Sequence, residues 1–175
     1  LSVAQTGFIT SSVLIGSCAG ALSIGALSDR FGRKKLLILA AILFLLGSGM
    51  CAGSTGFLMM VVARIILGLA VGAASSLTPA YLAELAPKEC RGSLSTLFQL
   101  MITFGILLAY ASNLGFLGHN IAGIRDWRWM LGSALVPAAL LLIGGLLLPE
   151  SPRYLVSRGK DREAFKVLTL IRKDV

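Results

Sequence analysis

Five long apolar blocks, separated by short charged connectors, constrain this 175-residue chain more than any other feature of its sequence. Each block is long enough for the roughly 20 residues that a helix needs to cross the hydrocarbon core of a bilayer. Backbone amides must find internal partners in that environment, so we expect every block to be a helix. The blocks occupy approximately residues 7–28, 36–54, 57–82, 93–116 and 129–148.

Composition argues against a soluble domain and against a nucleic-acid partner. Hydrophobic residues make up 56% of the chain and charged residues 14%, and the mean hydropathy is +0.86. Soluble domains carry about 25% charged residues. The net charge of +8 is compatible with nucleic-acid binding, but the basic residues gather between apolar blocks without interleaved aromatic residues. We therefore expect a multi-pass membrane protein whose surroundings are the lipid bilayer.

Neither a cofactor, a metal nor an enzymatic activity is expected. The three cysteines, Cys18, Cys51 and Cys90, lack the spacing of metal ligands. His119 is the single histidine and lies in an outer connector, and no pair of carboxylates shares a helix face. These features leave no candidate for acid–base or nucleophilic catalysis.

The connectors predict the orientation of the spans. The first, third and last connectors hold thirteen Lys and Arg residues, whereas the alternate connectors hold two. Loops rich in Lys and Arg stay in the cytoplasm, so we expect the basic connectors and the C-terminal end inside. The polar tail carries apolar residues at helical spacing, which predicts an amphipathic helix near the membrane surface. These residues are Ala164, Val167, Leu168 and Ile171.

Two pairs of glycines predict close helix packing inside the bundle. Gly16 and Gly20 are four residues apart in the first block, and Gly68 and Gly72 are four apart in the third. A stripe without side chains allows two backbones to approach closely. Such pairs are common in membrane helices and carry no functional information of their own.

Two polar residues inside the spans are candidate functional positions. Arg64 lies in an apolar run, where a charge costs at least about 2.5–3.5 kcal/mol on insertion scales. It therefore either extends to the outer surface or meets an acidic partner, and no acid of this chain lies at its depth. Gln99 lies about two turns inside a span, and its amide suits either a pair of sugar hydroxyls or a neighbouring helix.

Four ordered motifs together resemble the sugar porter family of the major facilitator superfamily. The run GALSDRFGRK, residues 25–34, resembles the cytoplasmic signature of the superfamily. Arg64-x3-Gly68-x3-Gly72 is followed by PAYLAELAP, residues 79–87, and by Arg91-Gly92. Gln99-Leu100 comes next, and PESPRYL, residues 149–155, closes the last span. In detail the pattern is most similar to bacterial galactose– or arabinose–proton symporters.

The resemblance implies a fold, a function and a location. The chain would supply the second to sixth of twelve helices, with the first helix and the C-terminal half absent and residues 149–175 linking the two halves. It would transport a monosaccharide, a hexose or a pentose with galactose favoured, by alternating access coupled to proton symport. The plasma membrane, and a bacterial inner membrane in particular, is the expected location. The alternatives are a passive sugar or polyol facilitator and a truncated product that does not transport.

The resemblance also assigns roles to individual residues. Gln99 would bind the sugar, with Ile102 and Ile106 on the same helix face. Arg64 would pair with an aspartate on the absent first helix, and protonation of that aspartate would weaken the pair. A cytoplasmic ion-pair network would latch the two halves together in the outward-facing state. Its members would be Asp29, Arg33, Glu84, Arg91, Glu150 and Arg153.

A solvated loop is the alternative to that network. The positive-inside rule alone explains Arg30, Lys34 and Lys35. It does not explain Glu84 and Glu150, because acidic residues gain nothing from the rule.

Overall fold

The computed structural model describes residues 2–87, 90–117 and 126–171, without the side chains of Ala26, Arg91 and Ile171. Within these ranges the chain forms helices and no strands. The helices are α1 (Val3–Phe31), α2 (Arg33–Ala52), α3 (Phe57–Leu85), α4 (Arg91–Phe116), α5 (Asp126–Gly132), α6 (Leu135–Leu147), α7 (Pro152–Ser157) and α8 (Asp161–Ile171).

The described residues contain five helical stretches that are long and apolar enough to cross a bilayer. They are Val3–Gly25, Arg33–Ala52, Phe57–Leu85, Gly92–Phe116 and Asp126–Leu147. The all-α membrane fold with five spans is therefore confirmed. The junction of α1 with α2, the junction of α3 with α4, and the tail after the last span contain most of the basic residues. They lie at the same end of the bundle, which we call the cytoplasmic end.

The last span is interrupted, whereas the sequence predicted one helix over residues 129–148. A turn at Ser133 and Ala134 separates α5 from α6. Pro137 has no amide hydrogen to donate to the carbonyl of Ser133, and its ring crowds that carbonyl. The Ser133 carbonyl accepts instead from the amide of Val136 at 3.2 Å, which tightens the chain into the turn.

α1 and α3 pack with their backbones in contact, as the glycine pairs predicted. A Cβ atom on any of the four glycines would overlap a backbone carbonyl oxygen of the facing helix. The overlapping pairs are Gly16 with Ile65, Gly20 with Leu69, Gly68 with Val13, and Gly72 with Ser17. Because backbone atoms cannot rotate away as a side chain can, these four positions fix the separation of the two helices.

α2 lies against α3 on one side and against α5 and α6 on the other. A Cβ atom on Gly47 would lie 2.9 Å from the amide nitrogen of Leu67, so α2 also approaches α3 closely. The buried apolar cluster between α1, α2 and α3 lies toward the cytoplasmic end. It consists of Ile24, Leu36, Leu37, Ala40, Ala73 and Leu77.

α4 stands at the edge of this body. None of its described side chains is buried, and its main contacts are with α3 and α5. Near its outer end, the ring of Phe116 stacks on Trp129 of α5, with ring centroids 6.3 Å apart. Arg128 of α5 donates to the carbonyl of Ser54 at 3.2 Å, which ties α5 to the connector between α2 and α3.

The tail forms two short helices instead of one. Gly159, with φ of 70°, makes the turn between α7 and α8. Ala164 of α8 is buried, and Val167 and Leu168 are half-buried on the side where α8 meets α7. The predicted amphipathic helix is confirmed as α8, and Phe165 and Leu170 remain exposed beside its apolar stripe.

Candidate functional site

Arg33, the first residue of α2, joins the cytoplasmic ends of three helices. Its Nη2 atom lies 3.0 Å from Glu84 Oε1 on α3 and 3.0 Å from Asp29 Oδ1 on α1. Its Nη1 atom donates to the carbonyl of Ser28 at 3.0 Å. The guanidinium therefore uses both terminal nitrogens to hold α1 and α3 against the start of α2.

The two carboxylates around Arg33 differ in their exposure to water. The side chains of Arg33 and Glu84 are each 12% exposed, whereas that of Asp29 is 75% exposed. Removing one member of a buried ion pair is strongly destabilising, because the other charge is left buried without a partner. An exposed ion pair contributes only about 0.2–1 kcal/mol. Glu84 is thus the structural partner of Arg33, and Asp29 remains accessible.

Glu150 follows the cytoplasmic end of the last span and caps the start of α2. Its Oε1 atom accepts from the amides of Lys34 at 3.0 Å and Ser151 at 3.1 Å. First-turn amides of a helix have no intrahelical partner, and the N-cap residue Gly32 has no side chain to supply one. A carboxylate at this position also interacts favourably with the helix dipole.

Gly32 is required by the same arrangement. Its φ of 93° lies in the left-handed region that side chains disfavour. A Cβ atom there would lie 2.8 Å from Glu150 Oε2 and 2.9 Å from the ring of Tyr154. The glycine thus allows both the sharp turn between α1 and α2 and the approach of Glu150.

Two further residues complete the site, and the sequence analysis missed both. The hydroxyl of Ser151, a fully buried residue, donates to Glu84 Oε2. The hydroxyl of Tyr81 donates to the carbonyl of Pro149 at 2.5 Å. Tyr81 precedes Glu84 by three residues, and this spacing on one helix face was the available signal. We call Asp29, Arg33, Glu84, Glu150 and Ser151 the cytoplasmic cluster.

Two of the six residues predicted for the network are not placed in this cluster. Arg153 is exposed and makes no hydrogen bond or ion pair with the described part of the chain. The side chain of Arg91 lies outside the described residues. The helix that carries Arg153 is itself anchored, since Tyr154 and Arg158 both donate to the carbonyl of Arg30.

Arg64 lies in α3, close to α2, with incomplete hydrogen bonding. Its Nε atom is buried and has no hydrogen-bond partner, and the residue forms no ion pair within residues 2–87, 90–117 and 126–171. The buried thiol of Cys51 on α2 lies close to the guanidinium. A buried donor without a partner is uncommon in folded proteins, so we expect an acceptor for this atom outside the described residues.

The predicted sugar-binding residues lie together on α4. Gln99 is exposed, and Ile102 and Ile106 are 42% and 53% exposed. The side-chain amide of Gln99 makes no hydrogen bond with the described residues. The backbone carbonyl of Gln99 accepts from the Thr103 hydroxyl at 3.2 Å. Both sequence interpretations, a ligand for sugar and a partner for a neighbouring helix, are compatible with this placement.

Comparison with known proteins assigns the family. A family model described as "Sugar (and other) transporter" matches residues 2–174. A D-xylose transporter of Levilactobacillus brevis is 55% identical over 169 residues, which are 97% of this chain and 36% of that protein. The galactose-proton symporter of Escherichia coli (strain K12) is 44% identical over 165 residues, 94% of this chain and 34% of that protein. The chain thus spans little more than a third of the length of these relatives.

A solved structure has the same arrangement of helices. The major facilitator superfamily proton:xylose symporter XylE, bound to 6-bromo-6-deoxy-D-glucose, superposes with a TM-score of 0.88 at 38% identity. The superposition covers 98% of this chain and 41% of that one.

Proposed function

Since the chain belongs to the sugar (and other) transporter family, we propose that it is part of a monosaccharide–proton symporter that works by alternating access. Residues 1–148 supply the second to sixth of twelve helices, within the N-terminal transmembrane half. Residues 149–175 link that half to the C-terminal half on the cytoplasmic side. The observation that carries the proposal is the superposition of nearly the whole chain on a sugar-bound proton:xylose symporter.

The relatives support a monosaccharide substrate but not one particular sugar. They include proteins named for D-xylose, a pentose, and for galactose, a hexose. The sequence favoured a galactose-like substrate, yet the D-xylose transporter shares more identity with this chain. We therefore propose xylose and galactose as the first two substrates to test.

Arg64 is the proposed coupling residue. Its buried, unpartnered Nε atom supports a role in which a carboxylate from the first helix neutralises the guanidinium. An arginine beside a carboxylate favours the ionised acid, so protonation of the acid weakens the pair. Proton entry would then free α3 to change its contacts with the first helix.

Gln99, Ile102 and Ile106 are the proposed sugar-contacting residues of this half. None of the described side chains of α4 is buried, so this face is free to line a pathway completed by other helices. The amide offers two donors and one acceptor to sugar hydroxyls. The two isoleucines offer an apolar surface to the carbon face of the sugar ring.

The cytoplasmic cluster is the proposed gate of this half. Four of its members satisfy one another within the half, and this holds the ends of α1, α2 and α3 as one unit. Asp29 and Arg153 are exposed. These two residues are therefore the proposed contacts with the other half when the transporter faces outward. A contact present in one state only is a general way to build such a switch.

The test is uptake of labelled xylose and galactose by vesicles that contain the whole transporter, with and without an inward proton gradient. Accumulation above equilibrium only with the gradient is the expected result. Gln99→Ala is expected to lose uptake. Leu108→Ala serves as the matched control on α4, because Leu108 is also exposed but lies about two and a half helical turns from Gln99, on the opposite face of the helix.

Each other outcome refutes a separate part of the proposal. Equilibration regardless of the gradient would make the protein a passive facilitator. Uptake of neither sugar would contradict the proposed substrates. Uptake by the 175-residue segment alone would contradict the claim that the pathway needs a second half.

A further inference from the structure

Ser151 uses its hydroxyl in an unexpected way. It is the N-cap residue of α7 and precedes Pro152, a sequence in which the serine oxygen ordinarily accepts from a first-turn amide of its helix. Here the side chain makes no capping hydrogen bond. The hydroxyl donates instead to Glu84 Oε2 on α3, so α7 lacks the cap that its own sequence offers.

The backbone amide and carbonyl of Ser151 are also hydrogen-bonded. Its amide donates to Glu150 Oε1 at 3.1 Å, and its carbonyl accepts from the amide of Leu155 at 3.0 Å. The residue is 0% exposed. Every polar group of this buried serine thus has a protein partner, and the hydroxyl is the only one that reaches another helix of the bundle.

The Ser151 hydroxyl fixes the orientation of the Glu84 carboxylate. Oε1 of Glu84 pairs with Arg33, and Oε2 accepts from Ser151. The side chain of Glu84 is 12% exposed, so an oxygen that loses its partner has little access to water. A carboxylate with one unpaired buried oxygen gains by turning toward solvent, and that rotation withdraws Oε1 from Arg33.

We infer that Ser151 is a positioning residue of the cytoplasmic gate, holding Glu84 against Arg33 and fastening the exit of the last span to α3. The inference rests on the proposed function, because the gate has meaning only in a transporter. Arg33 also pairs with Asp29, one of the two proposed contacts with the other half. Loss of the Ser151 hydroxyl therefore loosens Asp29 together with Arg33 and lowers the population of the outward-facing state. The apparent affinity for external sugar falls in proportion to the fraction of molecules that face outward.

The experiment measures sugar uptake by the whole transporter with four single or double variants. Ser151→Ala is expected to raise the KM for external sugar about three- to tenfold, with Vmax largely retained, which corresponds to the loss of one hydrogen bond. Ser157→Ala is the matched control on the same helix, since its hydroxyl bonds only to the carbonyl of Tyr154. Glu84→Gln and the double variant Ser151→Ala/Glu84→Gln complete a double-mutant cycle.

The cycle separates positioning from a general structural effect. If Ser151 acts through Glu84, Ser151→Ala has little further effect on KM once Glu84 is Gln. An unchanged KM in Ser151→Ala, or effects that simply multiply in the double variant, would overturn the inference while the unmodified protein still transports sugar. Failure of the unmodified protein to take up any monosaccharide would instead overturn the proposed function, and the gate role of Ser151 with it.

Discussion

In the cytoplasmic cluster, removing a buried carboxylate should lower the free energy of unfolding more than removing an exposed one. Glu84→Gln leaves Arg33, which is 12% exposed, without its buried partner. Breaking a fully buried pair costs about 3–5 kcal/mol. The remaining exposure and the second carboxylate at Asp29 reduce this to an expected loss of about 2–3 kcal/mol in the free energy of unfolding. Asp29→Asn removes a carboxylate that is 75% exposed, for an expected loss of about 0.5 kcal/mol.

The assay is reversible unfolding of the purified protein in mixed detergent and SDS, followed by the helical circular dichroism signal. Glu163→Gln is the matched control, because Glu163 pairs with Lys160 on the surface and both side chains are more than half exposed. High salt should abolish the small effect at Asp29 and leave most of the effect at Glu84, because buried pairs are screened less. Equal losses for Glu84→Gln and Asp29→Asn would refute the assignment of Glu84 as the structural partner of Arg33.

Three further predictions use the same unfolding assay. Gly72→Ala forces a methyl group onto the backbone carbonyl of Ser17 and should lower the free energy of unfolding by about 1–3 kcal/mol. Gly25 has open space around it, so Gly25→Ala should be neutral or stabilising by up to about 1 kcal/mol. Equal effects would refute the close packing of α1 on α3. Gly32→Ala places a side chain in the left-handed region and should cost about 1–2 kcal/mol, and an unchanged stability would contradict the turn geometry. Tyr81→Phe removes the hydrogen bond to the end of the last span and should cost about 1 kcal/mol, and no loss would show that this bond is not needed.

The spans and their order were predictable because the membrane environment leaves few alternatives. An apolar block of about 20 residues can satisfy its backbone amides only as a helix, so block length alone identified the spans. The close packing of α1 on α3 was also predictable from the spacing of the glycine pairs, because a helix stripe without side chains allows two backbones to approach closely. In the structure each of the four glycines meets a carbonyl of the facing helix.

The interruption of the last span was missed although its signal was present. The block 129–148 was read by its hydropathy, and Pro137 near its start was passed over. The missing amide acts four residues earlier, at the carbonyl of Ser133, where the turn forms. Hydropathy detects the crossing of the membrane but not a defect in the hydrogen-bond ladder of the helix.

The cluster was predictable in part. The ordered motifs pointed to Asp29, Arg33, Glu84 and Glu150, and the structure brings these four together. The role of Ser151 was not predictable, because local rules assign a serine before proline to its own helix. Its actual partner is 67 residues away in the chain, and only the packing of α3 against the exit of the last span brings the two together.

The partners proposed for Arg64 and Gln99 lie outside the described residues. A charged residue in an apolar run is expected to have a partner. In the structure, the Nε atom of Arg64 has no hydrogen-bond partner among the described residues. None of the described side chains on the helix of Gln99 is buried, so the described residues do not supply the contacts that would decide its role.

The central claim is tested most directly by the proton movement that accompanies sugar entry. De-energised vesicles that contain the whole transporter, placed in a lightly buffered medium, receive xylose or galactose while the external pH is recorded. Proton symport predicts a rise of the external pH on sugar addition. In Arg64→Ala this rise is expected to be lost even where sugar still equilibrates. Sugar entry without any change in external pH would contradict proton symport.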